Sequence, residues 1–304
     1  MSSFVRIIAL SGLMFSILTM AAVASPDGQA VTRELVVNGS VRSYSLYIPS
    51  EADKKGVPLM IVLHGGLGNA KIIERMSGMD SVADKGGFIV AYPEGTGIRF
   101  NPDRRTWNAG LCCNPAVREN IDDVSFISKM IDDISTKYSI DTGRVYVAGL
   151  SNGAMMAYRL ACDIPGKIAA VIAVSGTLAV DNCDRAKNIP VLHIHGDQDR
   201  NVPFNGGRGE EGLSGVSHRS VPETMNLLIR ARHCSAPEKT MSGDIEISSY
   251  KCSDGAPVML YLIKGGAHGW PGSRRWKAKS SAQGDISGSQ LAWEFARQFS
   301  KNQK

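Results

Sequence analysis

The sequence predicts an α/β fold, a doubly wound and mostly parallel sheet that opens with an antiparallel hairpin, and three observations predict it. Short β-branched and apolar runs recur at 59–63, 88–92, 144–148, 169–174, 191–195 and 258–263. Such continuous runs, without polar alternation, mark strands buried on both faces. Helix-forming stretches separate several of them, which favours a parallel sheet sandwiched between helices. Residues 33–37 and 43–48 instead alternate around Asn38-Gly39, a pair suited to a tight hairpin turn.

In chain order, a helical stretch is expected over 72–84. A clearer amphipathic helix follows at 123–138, where Val124, Ile127, Met130, Ile131, Ile134 and Tyr138 recur at helical spacing and Lys129, Asp132, Asp133 and Lys137 stay wet. The strand at 144–148 follows the turn-like Asp141-Thr142-Gly143 and should lie centrally in the sheet. After Ser151, Ala154, Met155, Met156, Ala157, Tyr158, Leu160 and Ala161 form a helix without Gly or Pro until Pro165. A last helix is expected over 289–299. The stretches 93–121 and Gly-rich 200–220 are too long for simple connections, and long loops of this kind are commonly functional or mobile.

With 304 residues and 43% hydrophobic content, the chain has material for one large core, and 25–304 is read as a single catalytic domain. Residues 1–24 fit a secretory signal: Arg6 gives a basic start, 7–20 is apolar, and Ala22-Val23-Ala24 is a small-residue cleavage site. The apolar run is short and contains Ser11, Gly12, Ser16 and Thr19, so no stable membrane anchor is expected after cleavage. A secreted or periplasmic protein follows, and its six cysteines then suggest disulfides. Cys162 and Cys183 flank the 169–174 strand, and Cys234 and Cys252 flank a hairpin, which favours these two local pairs. Cys112 and Cys113 are left to bond each other or to pair elsewhere. No C-x-x-C pair or nearby histidine accompanies them, so no metal is expected. The net charge of +5 is mild and scattered, with small clusters at 104–105 and 274–279; no nucleic-acid partner is expected.

The chemistry concentrates at Val145-Tyr-Val-Ala-Gly-Leu-Ser151-Asn-Gly, a buried strand, a G-x-S-x-G turn and a helix start. Gly149 and Gly153 let the backbone double back around Ser151, the candidate nucleophile, and the helix would aim its free N–H groups at the reacting carbonyl. A serine hydroxyl needs a base and an acid to orient that base. Strand 191–195 leads into Gly196-Asp197-Gln198-Asp199, and strand 258–263 into Gly265-Gly266-Ala267-His268, so both groups would sit on loops at strand carboxyl ends. Asp199 is favoured as the acid because its spacing lets it turn toward the histidine, with Asp197 capping the turn. His268 is favoured as base. His64, His193 and His195 have the placement of structural histidines, while His218 and His233 lack strand context. Two oxyanion donors are needed. Asn152 supplies one, and Gly66, with Leu67 as alternative, the other. No cofactor is required.

Together, Leu63-His64-Gly65-Gly66, Trp107-Asn-Ala-Gly-Leu-Cys-Cys113, Asp122-Asp123-Val124, the Ser151 turn, His195-Gly-Asp-Gln-Asp199 and Gly265-Gly-Ala-His-Gly-Trp-Pro271 resemble the extracellular polyhydroxybutyrate depolymerase family, which is similar to feruloyl and acetylxylan esterases of the α/β-hydrolase superfamily. The resemblance runs from about Glu34 to Phe299. It implies the α/β-hydrolase fold, Ser151, Asp199 and His268 as the triad in the superfamily's order, and Gly66 with Asn152 around the oxyanion. It implies a small-molecule or oligomeric ester substrate, either hydroxyalkanoate oligomers or feruloyl or acetyl esters of plant polysaccharide. Trp107 and Trp270 are candidates to line an acyl pocket or to pack beneath it. Two rival readings remain: a prolyl-oligopeptidase-like peptidase, although no stretch reads as the large gating domain of such enzymes, and a non-catalytic hydrolase-fold binding protein.

Overall fold

Strands β1 (Gln29–Val37) and β2 (Ser40–Ile48) pair antiparallel from Val37↔Ser40 outward, and Asn38 and Gly39 supply the two positive φ angles, 49° and 80°, that the tight turn needs. The computed structural model describes residues 28–302 apart from 54–55, 182, 184–185, 187, 213 and 274–285. The expected signal segment and the basic cluster at 274–279 lie outside the described residues.

Every residue of β3 (Val57–Leu63) is buried, as a strand covered on both faces requires. The single helix expected over 72–84 is two: α1 (Ala70–Ser77) and α2 (Met79–Gly86) meet at Gly78, whose φ of 59° closes the first helix through a 3.0 Å bond from its N–H to Glu74 O. A left-handed glycine stops a helix at little steric cost. After β4 (Ile89–Pro93), the long 93–121 stretch folds β5 (Thr96–Ile98) onto β6 (Asn101–Thr106). Helix α3 (Asp123–Lys137) begins where the Asp122 carboxylate accepts from Ser125 N, and its buried face includes Phe126 with Ile127, Met130, Ile131 and Ile134.

Strand β7 (Ile140–Leu150) starts four residues before the expected one, because the Asp141 carboxylate holds Gly143 N and Arg144 Nε and absorbs the local turn into the strand. Then come α4 (Asn152–Asp163), β8 (Ala170–Val174), β9 (Val191–Gly196), the two-residue strands β10 (Gly207–Arg208) and β11 (Ser217–His218), α5 (Val221–Ala231), the hairpin of β12 (Glu238–Ser242) and β13 (Ile245–Tyr250), β14 (Val258–Ile263) and α6 (Gly288–Ala296).

The main sheet runs β1-β2-β4-β3-β7-β8-β9-β14-β13-β12, parallel from β4 through β14 and antiparallel at both ends. Along β7, Val145 and Val147 enter the core on one face, and Tyr146, Ala148 and Leu150 enter the core on the other, the period-2 alternation of a pleated strand. Cysteine pairs join Cys162 to Cys183, Cys234 to Cys252 and Cys112 to Cys113. The first links α4 to the segment after β8, the second closes the base of the β12–β13 hairpin, and the third sits in the loop after β6.

Candidate active site

Ser151 occupies the step between β7 and α4 with φ 56° and ψ −119°, a conformation that costs a non-glycine residue on the order of 1–3 kcal/mol and persists only where the surroundings enforce it. Those surroundings are backbone. A Cβ on Gly149 would collide with the carbonyl of Gly153, and one on Gly153 with the carbonyls of Leu63 and His64. The turn therefore closes only with glycine at both positions, and it lies directly against the end of β3. Gly149→Ala is expected to destabilise the protein by about 3 kcal/mol or more in urea unfolding; a variant within about 1 kcal/mol of the parent would mean that the turn can open without cost.

The loop after β9 presents two carboxylates with different duties. Asp199 is buried; its Oδ1 accepts from Asn201 N (2.9 Å) and Val202 N (2.8 Å), and its Oδ2 from His268 Nδ1 (2.8 Å). Burial works against its charge, but the His268 hydrogen bond, the nearby His268 and His195 rings and the Val202 N–H outweigh it and hold the carboxyl below its ordinary range. Asp197 turns away and accepts from Gly265 N at 2.7 Å. It pins the loop that carries His268, so one acid orients the ring and the other its backbone. His268 and Ser151 line one cavity of about 400 Å³; among the described residues no hydrogen bond joins them.

The second wall of the site comes from the loop after β3. The N–H of Leu67 is committed to Arg105 O at 2.7 Å, whereas Gly66, which lines the cavity and packs against Asn152, donates its N–H to no protein group among the described residues. The Asn152 N–H opens α4, where the first turn has no acceptor within the helix. The Asn152 side chain also grips the Trp107 backbone twice, accepting from Trp107 N (2.7 Å) and donating to Trp107 O (3.1 Å). The indole of Trp107 donates to His64 O at 2.9 Å. Trp107 and Trp270 are fully buried and neither lines the cavity; Trp270 donates to Ser289 Oγ. Both take the packing alternative, Trp107 beneath the loop after β3 and Trp270 against α6. The cavity is lined instead by apolar Leu67, Ile72, Ile73, Met76, Met155 and the Cys112–Cys113 pair, and, from the chain after β9, by Asn201 and His218.

Three buried histidines act as scaffolding. His64 Nε2 accepts from Gly95 N, so Nδ1 is the protonated nitrogen that donates to Gly65 O. The Tyr158 hydroxyl, His193, His195 and Val202 O form a string of hydrogen bonds of 2.7, 3.1 and 2.8 Å that ends beside Asp199. Burial pushes all three rings toward neutrality, His64 down to about 4. As pH falls below about 6.5, the unfolded chain takes up a proton at His64 that the folded chain refuses until about pH 4, so the stability contributed by the neutral ring shrinks across that window. The stability gap between the parent and His64→Asn is accordingly expected to narrow from pH 7.5 to pH 4.5 in thermal melts; a gap independent of pH would contradict a buried neutral ring.

Residues 42–202 match the profile of the family described as Esterase PHB depolymerase. The chain belongs to this family of esterases. Among esterase relatives, a protein designated an esterase, NocK, of Nocardia uniformis subsp. tsuyamanensis is 31% identical over 266 residues, 81% of this chain and 75% of that one. Feruloyl esterase B of Piromyces equi is 29% identical over 254 residues, and the match spans 81% of this chain but 43% of that longer protein. The fold is that of α/β-hydrolase esterases: an acetyl xylan esterase from Aspergillus awamori superposes with a TM-score of 0.58 at 19% identity, over 79% of this chain and 95% of that one. Among the described residues, no group of His, Cys, Asp and Glu could hold a metal ion and no helix is long and apolar enough to cross a membrane.

Proposed function

We propose that this esterase is an exported serine hydrolase in which Ser151 attacks the ester carbonyl, His268 is the general base and Asp199 holds the ring. The observation that carries the reading is the 2.8 Å bond from His268 Nδ1 to buried Asp199, which fixes the tautomer that leaves Nε2 free to accept a proton. His268 takes the hydroxyl proton as the Ser151 Oγ–carbon bond forms, and the carbonyl oxygen gains charge against the N–H groups of Gly66 and Asn152. Collapse of the tetrahedral species breaks the bond to the alcohol oxygen, which leaves with the proton from His268. A water then repeats the sequence on the acyl-enzyme and frees the acid and Ser151. The apolar flank of Leu67, Ile72, Ile73, Met76 and Met155 suits a hydrocarbon or aryl acyl chain, in keeping with feruloyl or acetyl esters of plant polysaccharide or short hydroxyalkanoate oligomers. The three cysteine pairs suit an oxidising compartment outside the cytoplasm.

The test is hydrolysis by the purified protein of p-nitrophenyl acetate and butyrate, methyl ferulate, acetylated xylan, hydroxybutyrate oligomers and a peptide anilide. Cleavage of esters with the anilide untouched is expected. Faster cleavage of the anilide would make the protein a peptidase of the prolyl-oligopeptidase type, and no turnover of any compound would end the catalytic reading.

A further inference from the structure

His218 lines the cavity shared by Ser151 and His268 yet has no part in the steps above. The ring is half-buried, and among the described residues it makes no hydrogen bond. The contrast with the buried histidines is sharp, because His64, His193 and His195 each commit both ring nitrogens to protein groups. An imidazole that faces a cavity with both nitrogens open is a polar group whose partner comes from solvent or from a ligand.

The fold fixes where that ring stands. His218 pairs with Gly207 across the β10–β11 ribbon. The next residue, Arg219, donates through Nη1 to Leu178 O (2.8 Å) and Val180 O (3.1 Å), and Ser220 caps α5 by accepting from Glu223 N (3.1 Å). Immediately before β10, a Cβ at Gly206 would stand 2.8 Å from Ser220 N and 3.0 Å from His218 O, so the ribbon closes only over a glycine. Anchors on both sides make the ring a preorganised contact rather than a mobile one.

Its location also says which half of an ester it meets. In acyl transfer the base hands its proton to the departing alcohol, so the alcohol lies over the histidine while the acyl chain lies away from it. His218 is close enough to Asp199 and His268 for their charges to act on it, and burial pulls its pKa down, which favours the neutral ring that both donates and accepts. Leu67, Ile72 and Met76, which reach the cavity from the loop after β3 and from α1 while His218 comes from the chain after β9 on the other side of β7, offer nothing polar. Resting on the Ser151–His268 reading above, we propose that His218 hydrogen-bonds a hydroxyl of the leaving alcohol, so that the enzyme favours esters of polyhydroxylated alcohols over alkyl esters of the same acid.

Glycerol 1-monoacetate and propyl acetate test this directly, since they share an acyl group and a three-carbon alcohol and differ only in hydroxyls. The parent is expected to favour the glycerol ester in kcat/KM. His218→Leu lowers that preference about fivefold, the scale of one neutral hydrogen bond, and His218→Gln, which keeps a donor and an acceptor, retains most of it. His218→Ala gives the same fall if the leucine side chain is not accommodated. An unchanged preference in the leucine and alanine variants, or an equal loss on both esters, overturns the assignment while leaving the esterase reading intact. A parent that cleaves neither ester, indistinguishable from Ser151→Ala, removes the esterase reading itself.

Discussion

Ser151→Ala is expected to lower kcat for p-nitrophenyl butyrate by about 10⁵- to 10⁶-fold, with the fold retained. The size follows from what is lost and what stays. Only the hydroxyl disappears, and with it the covalent route; the N–H groups of Gly66 and Asn152 and the cavity itself remain, so the residue of activity is that of a preorganised pocket acting on water. Retention of the fold follows from the backbone. The positive φ at Ser151 is enforced by the crowding of Gly149, Gly153 and the end of β3, and alanine is no worse than serine in that conformation. A second readout makes the result specific: an activated fluorophosphonate should add its mass to the peptide containing Ser151 in the parent and leave the variant unlabelled. Substantial turnover by the alanine variant, or label on another serine, would remove Ser151 from the mechanism.

The next largest effect separates the two aspartates of one loop. Asp199→Asn should cost about 10⁴-fold in kcat, whereas Asp197→Asn should stay within about tenfold of the parent. At position 199 the amide oxygen still satisfies Asn201 N and Val202 N, which bond the same carboxylate oxygen, Oδ1. The amide nitrogen is then turned toward His268 Nδ1, where an acceptor stood at 2.8 Å. A donor facing Nδ1 selects the tautomer with its proton on Nε2, which cannot take a proton from Ser151. At position 197 the carboxylate, among the described residues, accepts from Gly265 N alone, and an amide oxygen can do the same, so the loop keeps its shape with a weaker bond. Steady-state rates on p-nitrophenyl butyrate decide the matter, and similar losses in the two variants would refute the division of labour.

Much of this architecture is legible in the residues themselves, and the reasons are specific. The strands at β3 and β8 are read because burial on both faces leaves no polar residue to blur the run, and the Ser151 turn is read because its glycines have no alternative. Helix α5 is left without bounds, with His233 taken as a helix end, although Ser220 and Glu223 form a capping pair and Pro222 follows at once; the glycine-rich stretch before it masks the start. The break at Gly78 is a single left-handed residue inside an otherwise helical pattern. Asp197 and Asp199 have the same chemistry two positions apart; their spacing favours Asp199, and the hydrogen bonds show what each carboxylate holds. Trp107 and Trp270 could serve equally as pocket wall or packing, since an indole does both. His218 is set aside as lacking strand context because the strand that carries it is two residues long, below any periodicity.

The double grip of Asn152 on Trp107, with the indole of Trp107 holding His64 O, constrains how this scaffold can diversify. The segment running from Trp107 to the Cys112–Cys113 wall is tied to Asn152, whose N–H is the proposed oxyanion donor. A mutation that enlarges the cavity by shifting that segment is therefore expected to displace that donor and lower the rate on every substrate. Side chains of α1, Ile72, Ile73 and Met76, reach the same cavity without that tie. New acyl specificities are therefore expected from single substitutions on α1 rather than along the 107–113 segment.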